Sequence, residues 1–166
     1  AASDVYKRQE GNIHTYFPLG NKFVLGVRGK AVVSSKGLLS NYTSTLIQAP
    51  AFTPTPHSKT IFNPAFRSTQ YLAAGVIPIW KILNNLQFRN EFYVFAPFRQ
   101  IYEGENMVAY YGKAFTKYHF MGESSLVLDL SFASISLYAN YYDYPARNWN
   151  FGINIGLLVF SPKFLE

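Results

Sequence analysis

The stretch FVLGVRGKAVVS, Phe23–Ser34, decides how this chain is read, because it alternates with period two. Odd positions carry Phe23, Leu25, Val27, Gly29, Ala31 and Val33, while even positions carry Val24, Gly26, Arg28, Lys30, Val32 and Ser34. Both cations fall on one parity, so the two faces of this strand meet different surroundings. In a bilayer, each Arg or Lys facing lipid at the midplane costs roughly 2–4 kcal/mol, on the order of 4–8 kcal/mol for Arg28 and Lys30 together. The even face is therefore expected to point inward and the odd face outward.

The same alternation recurs in Leu86–Phe98, Lys117–Asp129, Ser134–Tyr142 and Asn150–Phe160, with Asn90 as the exception in its strand. These segments run longer than the usual five or six residues of a soluble strand and match the nine to eleven of a tilted membrane strand. The polar parity is rich in Ser, Asn, Gly and Tyr and poor in Lys and Glu, unlike a surface washed by bulk water. Aromatic residues mark the strand ends at Tyr16, Phe17, Tyr71, Trp80, Phe98, Tyr118, Tyr144 and Trp149, as in the girdles of membrane barrels.

Composition agrees. The 166 residues are 49% hydrophobic, 18% aromatic and only 14% charged, against about a quarter charged in an ordinary soluble domain. No apolar run reaches the roughly 18 residues of a membrane helix; YLAAGVIPIW, Tyr71–Trp80, carries a Gly and a Pro. The absence of cysteine excludes a disulfide scaffold and a Cys-ligated metal. His14, His57 and His119 lie far apart, so neither a metal nor a cofactor is expected. The net charge of +6 comes from scattered single cations rather than a basic cluster, which speaks against nucleic acid.

The expected fold is all-β: the C-terminal part of an antiparallel transmembrane β-barrel, with six strands plus a seventh in Asn12–Leu19. Short turns (PLGN, LNN, SFA) alternate with long connections over 36–69 and 97–116 and a tight hairpin at DYPARN. Another strand around Tyr42–Ile47 would let an independent eight-stranded barrel close; otherwise upstream strands are missing. Pro78 lacks a ladder donor and predicts a bulge or kink. Residues 1–9 include SDVYKRQ, which resembles translated adapter read-through, and are expected to be an artefact or a disordered tail. Residues 10–166 are expected to form one partial barrel with an external loop at about 36–69.

No Asp or Glu occurs from Gly11 through Asn90, so Arg67 in FNPAFRSTQ either faces water or takes a distant acid. Glu91 is the first acid after that stretch, on the inward parity of its strand beside Arg89, with Glu123 and Asp129 as other inward acids. Inward Ala73 and Gly75 on the intervening strand leave room for a loop. Arg28, Lys30, Arg89, Glu123 and Asp129 are the other candidate lumenal residues.

A long loop ending in FRSTQ, four strands from the C-terminus, resembles the inward-folded loop of the bacterial surface antigen superfamily. Those are barrels of about sixteen strands, including the outer-membrane assembly factor and two-partner secretion transporters. Their Val-Arg-Gly-aromatic motif tucks into the lumen and its arginine pairs with an acid on the second strand after the loop. The resemblance thus implies an Arg67–Glu91 pair, with Phe66-Arg67-Ser68 a degenerate match whose Ser68 replaces the glycine.

From about Ile13 onward, HTYFPLGNKFVLGVRG, NYTSTL, APAFTPTPHSKTIFNPAFRSTQYLAAG and NWNFGINIGLLVFSPKF are similar to the C-terminal barrel of patatin-like phospholipases from Bacteroidota. The resemblance implies an N-terminal patatin lipase domain outside this chain, using a Ser–Asp dyad in Gly-x-Ser-x-Gly and Asp-Gly-Gly or Asp-Gly-Ala. Neither motif is present: GESSL, Gly122–Leu126, lacks the final Gly, and Asp129 and Asp143 precede Leu130 and Tyr144. The chain itself is expected to hydrolyse nothing and to hold no catalytic residue, while the parent protein would be a lipid acyl hydrolase. Its expected role is anchor, with display or translocation of the lipase domain, in the outer membrane of a Gram-negative bacterium. The implied partners are outer-membrane lipid and lipopolysaccharide, the missing upstream strands and lipase domain, and the barrel-insertion machinery. An assembly or secretion pore without a lipase and a soluble ligand-binding β-barrel are the rival readings. Pro50–Thr60 is expected to be a rigid external loop. The tyrosines 138, 141, 142 and 144 are expected in a girdle, and Lys36 and Lys59 near lipopolysaccharide phosphates or in water.

Overall fold

A computed structural model of the chain describes residues 6–143 and 148–157. Wherever alternation runs unbroken by turn residues, a strand forms: β1 Arg8–Pro18, β2 Phe23–Ser34, β3 Gln70–Leu83, β4 Leu86–Pro97, β5 Arg99–Glu103, β6 Ala109–Ala114, β7 His119–Asp129, β8 Ala133–Tyr142 and β9 Asn148–Leu157. The fold is all-β and antiparallel. Seven strands make one sheet in the order β1-β2-β3-β4-β7-β8-β9, and β5 and β6 form a separate hairpin. The seven run from 10 to 14 residues.

Short turns over residues 19–22, 84–85 and 130–132 lie at one end of the sheet, and the connections 35–69 and 98–118 at the other, where β8 also ends and β9 begins. In the first turn Gly20 adopts a φ of +123°, open to glycine and strained for other residues, and Leu19 N–H closes on the Phe23 carbonyl at 3.0 Å.

Register carries parity across the whole sheet. Lys30, Ala73, Phe95 and His119 stand opposite one another in turn, as do Arg28, Gly75, Tyr93, Met121 and Tyr142. Arg28 and Lys30 thus share a face with Arg89, Glu91 and Glu123, as the parity of Phe23–Ser34 requires. The opposite face carries Ile13, Val33, Leu72, Val76, Trp80, Phe88, Phe92, Phe120, Leu126, Leu137, Trp149 and Phe151, all exposed. We call these the covered face and the bare face, because connection 35–69 lies on the first.

Several expectations need correction. The sheet begins at Arg8, not Glu10; residues 1–5 lie outside the described residues, as do 158–160 of the expected last strand. Tyr42–Gln48 is a helix, α1, rather than a strand, because Asn41 Oδ1 caps it by accepting from Ser44 N–H at 3.0 Å and Pro50 forces Ala49 to an extended conformation. The second long connection contains the β5–β6 hairpin. At Pro78 the β3–β4 ladder lapses across Ile77–Pro78 without changing register; the shift lies between Lys81 and Leu83. The missing N–H removes pairs there, but the flanking pairs hold the register.

Parity also divides the expected aromatic girdle. Phe23, Trp80 and Phe88 line up across three strands on the bare face, with ring centroids 5.1 and 6.1 Å apart, and Tyr141 meets Trp149 at 5.1 Å. Tyr16 and Tyr71 have the covered parity instead. Tyr71 is buried beneath the loop, donating its hydroxyl to the Ala51 carbonyl at 3.2 Å. Of the tyrosine cluster, Tyr138 and Tyr142 face the loop, Tyr141 faces away, and Tyr144 lies outside the described residues.

Candidate functional site: the loop-covered face

The loop over residues 35–69 folds on itself before it folds on the sheet. Phe52 N–H donates to the Phe66 carbonyl at 2.9 Å and Ser68 N–H to the Pro50 carbonyl at 3.2 Å, forming a short antiparallel neck around an Ala51–Arg67 bridge. At the tip, Thr55 and Ser58 bind each other reciprocally: Thr55 N–H donates to Ser58 Oγ at 3.0 Å and Ser58 N–H to Thr55 Oγ1 at 3.2 Å. Pro54 and Pro56 limit this tip to few backbone conformations.

Two phenylalanines seat the neck. Phe52 stacks on Phe95 at 6.0 Å and meets Tyr93 edge-on at 5.7 Å, while Phe66 packs on Phe95, His119 and Tyr142. Both are 2% exposed, and with Val32, Tyr71, Ile77, Tyr93, Phe95 and Met121 they form the core. The space at Gly75 is taken by the Tyr93 ring, which a Cβ there would overlap, and not by the loop itself.

Arg67 does not pair with Glu91. Its Nη1 donates to the Leu46, Ile47 and Ala49 carbonyls at 3.1, 3.4 and 3.3 Å, and its guanidinium lies 4.3 Å from the Phe62 ring. The last carbonyls of a helix lack intrahelical donors and carry partial negative charge, so the end of α1 receives a cation without any carboxylate. Desolvation pushes the Arg67 pKa down from its ordinary value, yet an arginine remains charged at any physiological pH.

Glu91 is taken by its own strand: Arg89 Nε donates to Glu91 Oε1 at 2.7 Å, and Arg89 Nη2 reaches the same oxygen. Glu123 stands opposite Glu91 in register and is also buried. Lys30 pairs with Glu10 at 2.7 Å, and Arg28 Nη1 donates to the Pro54 carbonyl at 3.3 Å, fastening the loop tip to β2. Asp129 lies far from these, at the turn end, where it accepts from Ser134 Oγ at 2.8 Å.

The structure thus brings Arg28, Arg89, Glu91 and Glu123 together under the loop, places Lys30 at the side with Glu10, and separates Arg67 and Asp129 from the group. Reading the residues alone missed Glu10, Tyr93, His57 and Asn140. His57 Nδ1 lies 2.9 Å from the Tyr142 hydroxyl, and Asn140 is 1% exposed as the register partner of Glu123. The spacing of Thr55 and Ser58 between prolines signals the ordered tip that positions His57. Ser124 and Ser125 lie mid-strand in β7, and Ser124 Oγ donates to Asn90 Oδ1 at 2.6 Å on the bare face. No group of three or more His, Cys, Asp or Glu side chains able to hold a metal occurs among the described residues.

Compared with protein-family models, curated proteins and solved structures, the chain matches none.

Proposed function

We propose that this chain is part of an outer-membrane β-barrel, with the bare face against lipid and the covered face turned to a lumen into which loop 35–69 folds. One observation carries the reading: the charged side chains of β2, β4 and β7 share the covered face, while the other face exposes large apolar side chains on every strand of the sheet. A soluble sheet that exposed so extended an apolar surface would aggregate or need a partner; a bilayer supplies that surroundings directly. The soluble ligand-binding barrel is the less supported reading for the same reason.

The strands themselves favour continuation. In an antiparallel sheet β1 and β9, the first and seventh, run in the same direction. They cannot close on each other antiparallel, so a closed all-antiparallel barrel requires an odd number of further strands. In this reading those strands, and a patatin-like lipase domain that the barrel anchors and displays, come from chain beyond this sequence. The lipase rests on sequence resemblance alone, and a secretion or assembly pore without a lipase remains the second reading. The lipids of the outer membrane, lipopolysaccharide and the barrel-insertion machinery are the proposed partners.

Fluorescence quenching by brominated lipid tests the membrane contact. Trp80 and Trp149 both lie exposed on the bare face, so acyl-chain bromines in reconstituted vesicles should quench both, measured in single-tryptophan variants. Unquenched tryptophans in a folded, vesicle-associated protein would overturn the reading. Sequencing the native locus upstream of Glu10 separates lipase anchor from pore: a continuing frame with Gly-x-Ser-x-Gly and Asp-Gly supports the first, periplasmic repeats the second.

A further inference from the structure

We infer that the bare face holds one lipid with an anionic phosphate headgroup, its acyl chain in a groove across β1–β4 and its headgroup on Arg99, Lys113 and Lys117. The site lies toward the end where connections 35–69 and 98–118 leave the sheet, the loop end. The inference rests on the membrane reading above and names a site on the surface which that reading turns to lipid.

The bare face is uneven along its strands. Toward the short turns Phe23, Trp80, Phe88, Leu126 and Leu137 stand opposite one another in turn, all of them large. Toward the loop end small residues recur instead, Gly11 and Ala31 in one row and Gly29 and Ala74 in the next. With so little side chain over the backbone, a groove of about 580 Å³ opens there, walled by Ile13, Leu72, Val94 and Tyr118. Its volume is that of a ligand pocket. Lys30 and Asn12 border it only with backbone, because their side chains have the covered parity. The walls are therefore apolar and suit hydrocarbon.

Beyond the groove the chain turns positive. Phe98 N–H donates to the Gln70 carbonyl at 2.8 Å and Phe115 N–H to the Phe98 carbonyl at 2.9 Å, which ties the base of the β5–β6 hairpin to the loop end of β3. The two rings meet edge-on at 5.2 Å. Around them Arg99, Lys113 and Lys117 are exposed, and none has a carboxylate partner among the described residues. The Arg99 guanidinium lies 5.4 Å from the Phe98 ring and 6.0 Å from the Tyr111 ring, contacts that orient the charge without neutralising it. Of the acids in this part of the chain, Asp143 stands 3.8 Å from His119, and Glu103 and Glu105 lie at the far end of the hairpin. Cations without partners beside an apolar groove match both ends of an anionic lipid. A free anion would leave the groove unused, and a neutral hydrocarbon would leave the charges unused.

Lipid-selective quenching tests the site. Tyr118→Trp, combined with Trp80→Phe and Trp149→Phe, puts a single reporter at the groove. The chain is reconstituted in phosphatidylcholine vesicles holding a minor fraction of acyl-brominated lipid, either phosphatidylglycerol or phosphatidylcholine. The brominated phosphatidylglycerol should quench the reporter with an apparent affinity at least about fivefold higher, the contribution of one well-placed cation. Trp80, measured as the single tryptophan, should be quenched alike by both lipids, so it reports lipid contact by itself. Replacing Arg99, Lys113 and Lys117 by Gln should abolish the preference at the reporter, and so should Ala74→Leu, which fills the groove. Equal quenching of the reporter by the two lipids, with Trp80 quenched by both, overturns the site and leaves the membrane reading standing; an unquenched Trp80 overturns both. A preference that survives Ala74→Leu overturns the seated chain, since surface charge alone would then account for it.

Discussion

The covered and bare faces belong to the same strands, alternate residue by residue, and are completed in different ways. On the covered face the chain supplies its own filling: two loop phenylalanines in an aromatic core, an arginine on a loop carbonyl, and an acid held by its strand neighbour. On the bare face Val76, Phe92, Phe120 and Leu137 are left 45–53% exposed, with no loop among the described residues laid over them. The difference teaches that the two parities carry different chemistry: one packs against the chain's own loop, and the other presents apolar side chains that meet lipid on the reading proposed above. Substitutions on the two faces should then obey different rules.

The largest effect belongs to the covered face. Phe52→Ala removes a ring seated on Tyr71, Tyr93 and Phe95, and large-to-small changes of this kind cost about 3–5 kcal/mol. Denaturant unfolding in detergent should show that loss. A cost below about 1 kcal/mol would mean that the loop does not rest on the sheet, and the two faces would lose their distinction.

The bare face supplies the next. Val76 lies midway along β3 and is 45% exposed. Val76→Arg should cost roughly 2–4 kcal/mol for folding into lipid vesicles, because the charge then sits in hydrocarbon. If water bathed this face, the change would stay within about ±0.5 kcal/mol, and the proposed membrane contact would fail.

The loop cation Arg67 and the buried Glu91 of the covered face give a third and smaller effect. Arg67→Ala removes hydrogen bonds from a cation to α1 carbonyls, and its partial exposure puts the loss near the low end of about 1.5–3 kcal/mol. Glu91→Gln acts on Arg89 instead. Since Arg67 and Glu91 share no contact, a double-mutant cycle should give a coupling below about 0.5 kcal/mol. Coupling above 1 kcal/mol would restore the direct pair implied by the surface-antigen resemblance.

That pair shows where the sequence was legible. Side-chain direction in a strand has period two, so the placement of Arg28, Lys30, Arg89 and Glu123 on one face could be read from alternation alone. The partner of Arg67 could not, because a helix-end carbonyl belongs to the backbone and leaves no mark in residue type. The helix itself was obscured by Thr43, Thr45 and Ile47, β-branched residues that suit a strand; only Asn41 and Pro50 announced its ends. Tyr16 and Tyr71 were legible but weighed by position at a strand end, when parity would have placed them on the covered face. His57 and Asn140 lie far apart in sequence and gain their surroundings only when the loop docks.

The smallest expected effect sharpens the comparison most, since it concerns a polar pair on the bare face. Asn90 and Ser124 stand opposite each other in register, in the row where Pro78 interrupts the ladder, and Ser124 Oγ donates to Asn90 Oδ1 at 2.6 Å. Each satisfies the other where the surrounding side chains are apolar. In hydrocarbon, losing either partner leaves the other without a replacement, whereas in water a solvent molecule substitutes at little cost. A double-mutant cycle of Asn90→Ala and Ser124→Ala in lipid vesicles should therefore give a coupling of about 0.6 kcal/mol, with about 1.7 kcal/mol as the upper range for such pairs. A coupling indistinguishable from zero, with both single variants neutral, would place this row in water. The bare face would then differ from the covered one only in composition, and its apolar surface would need another explanation than lipid.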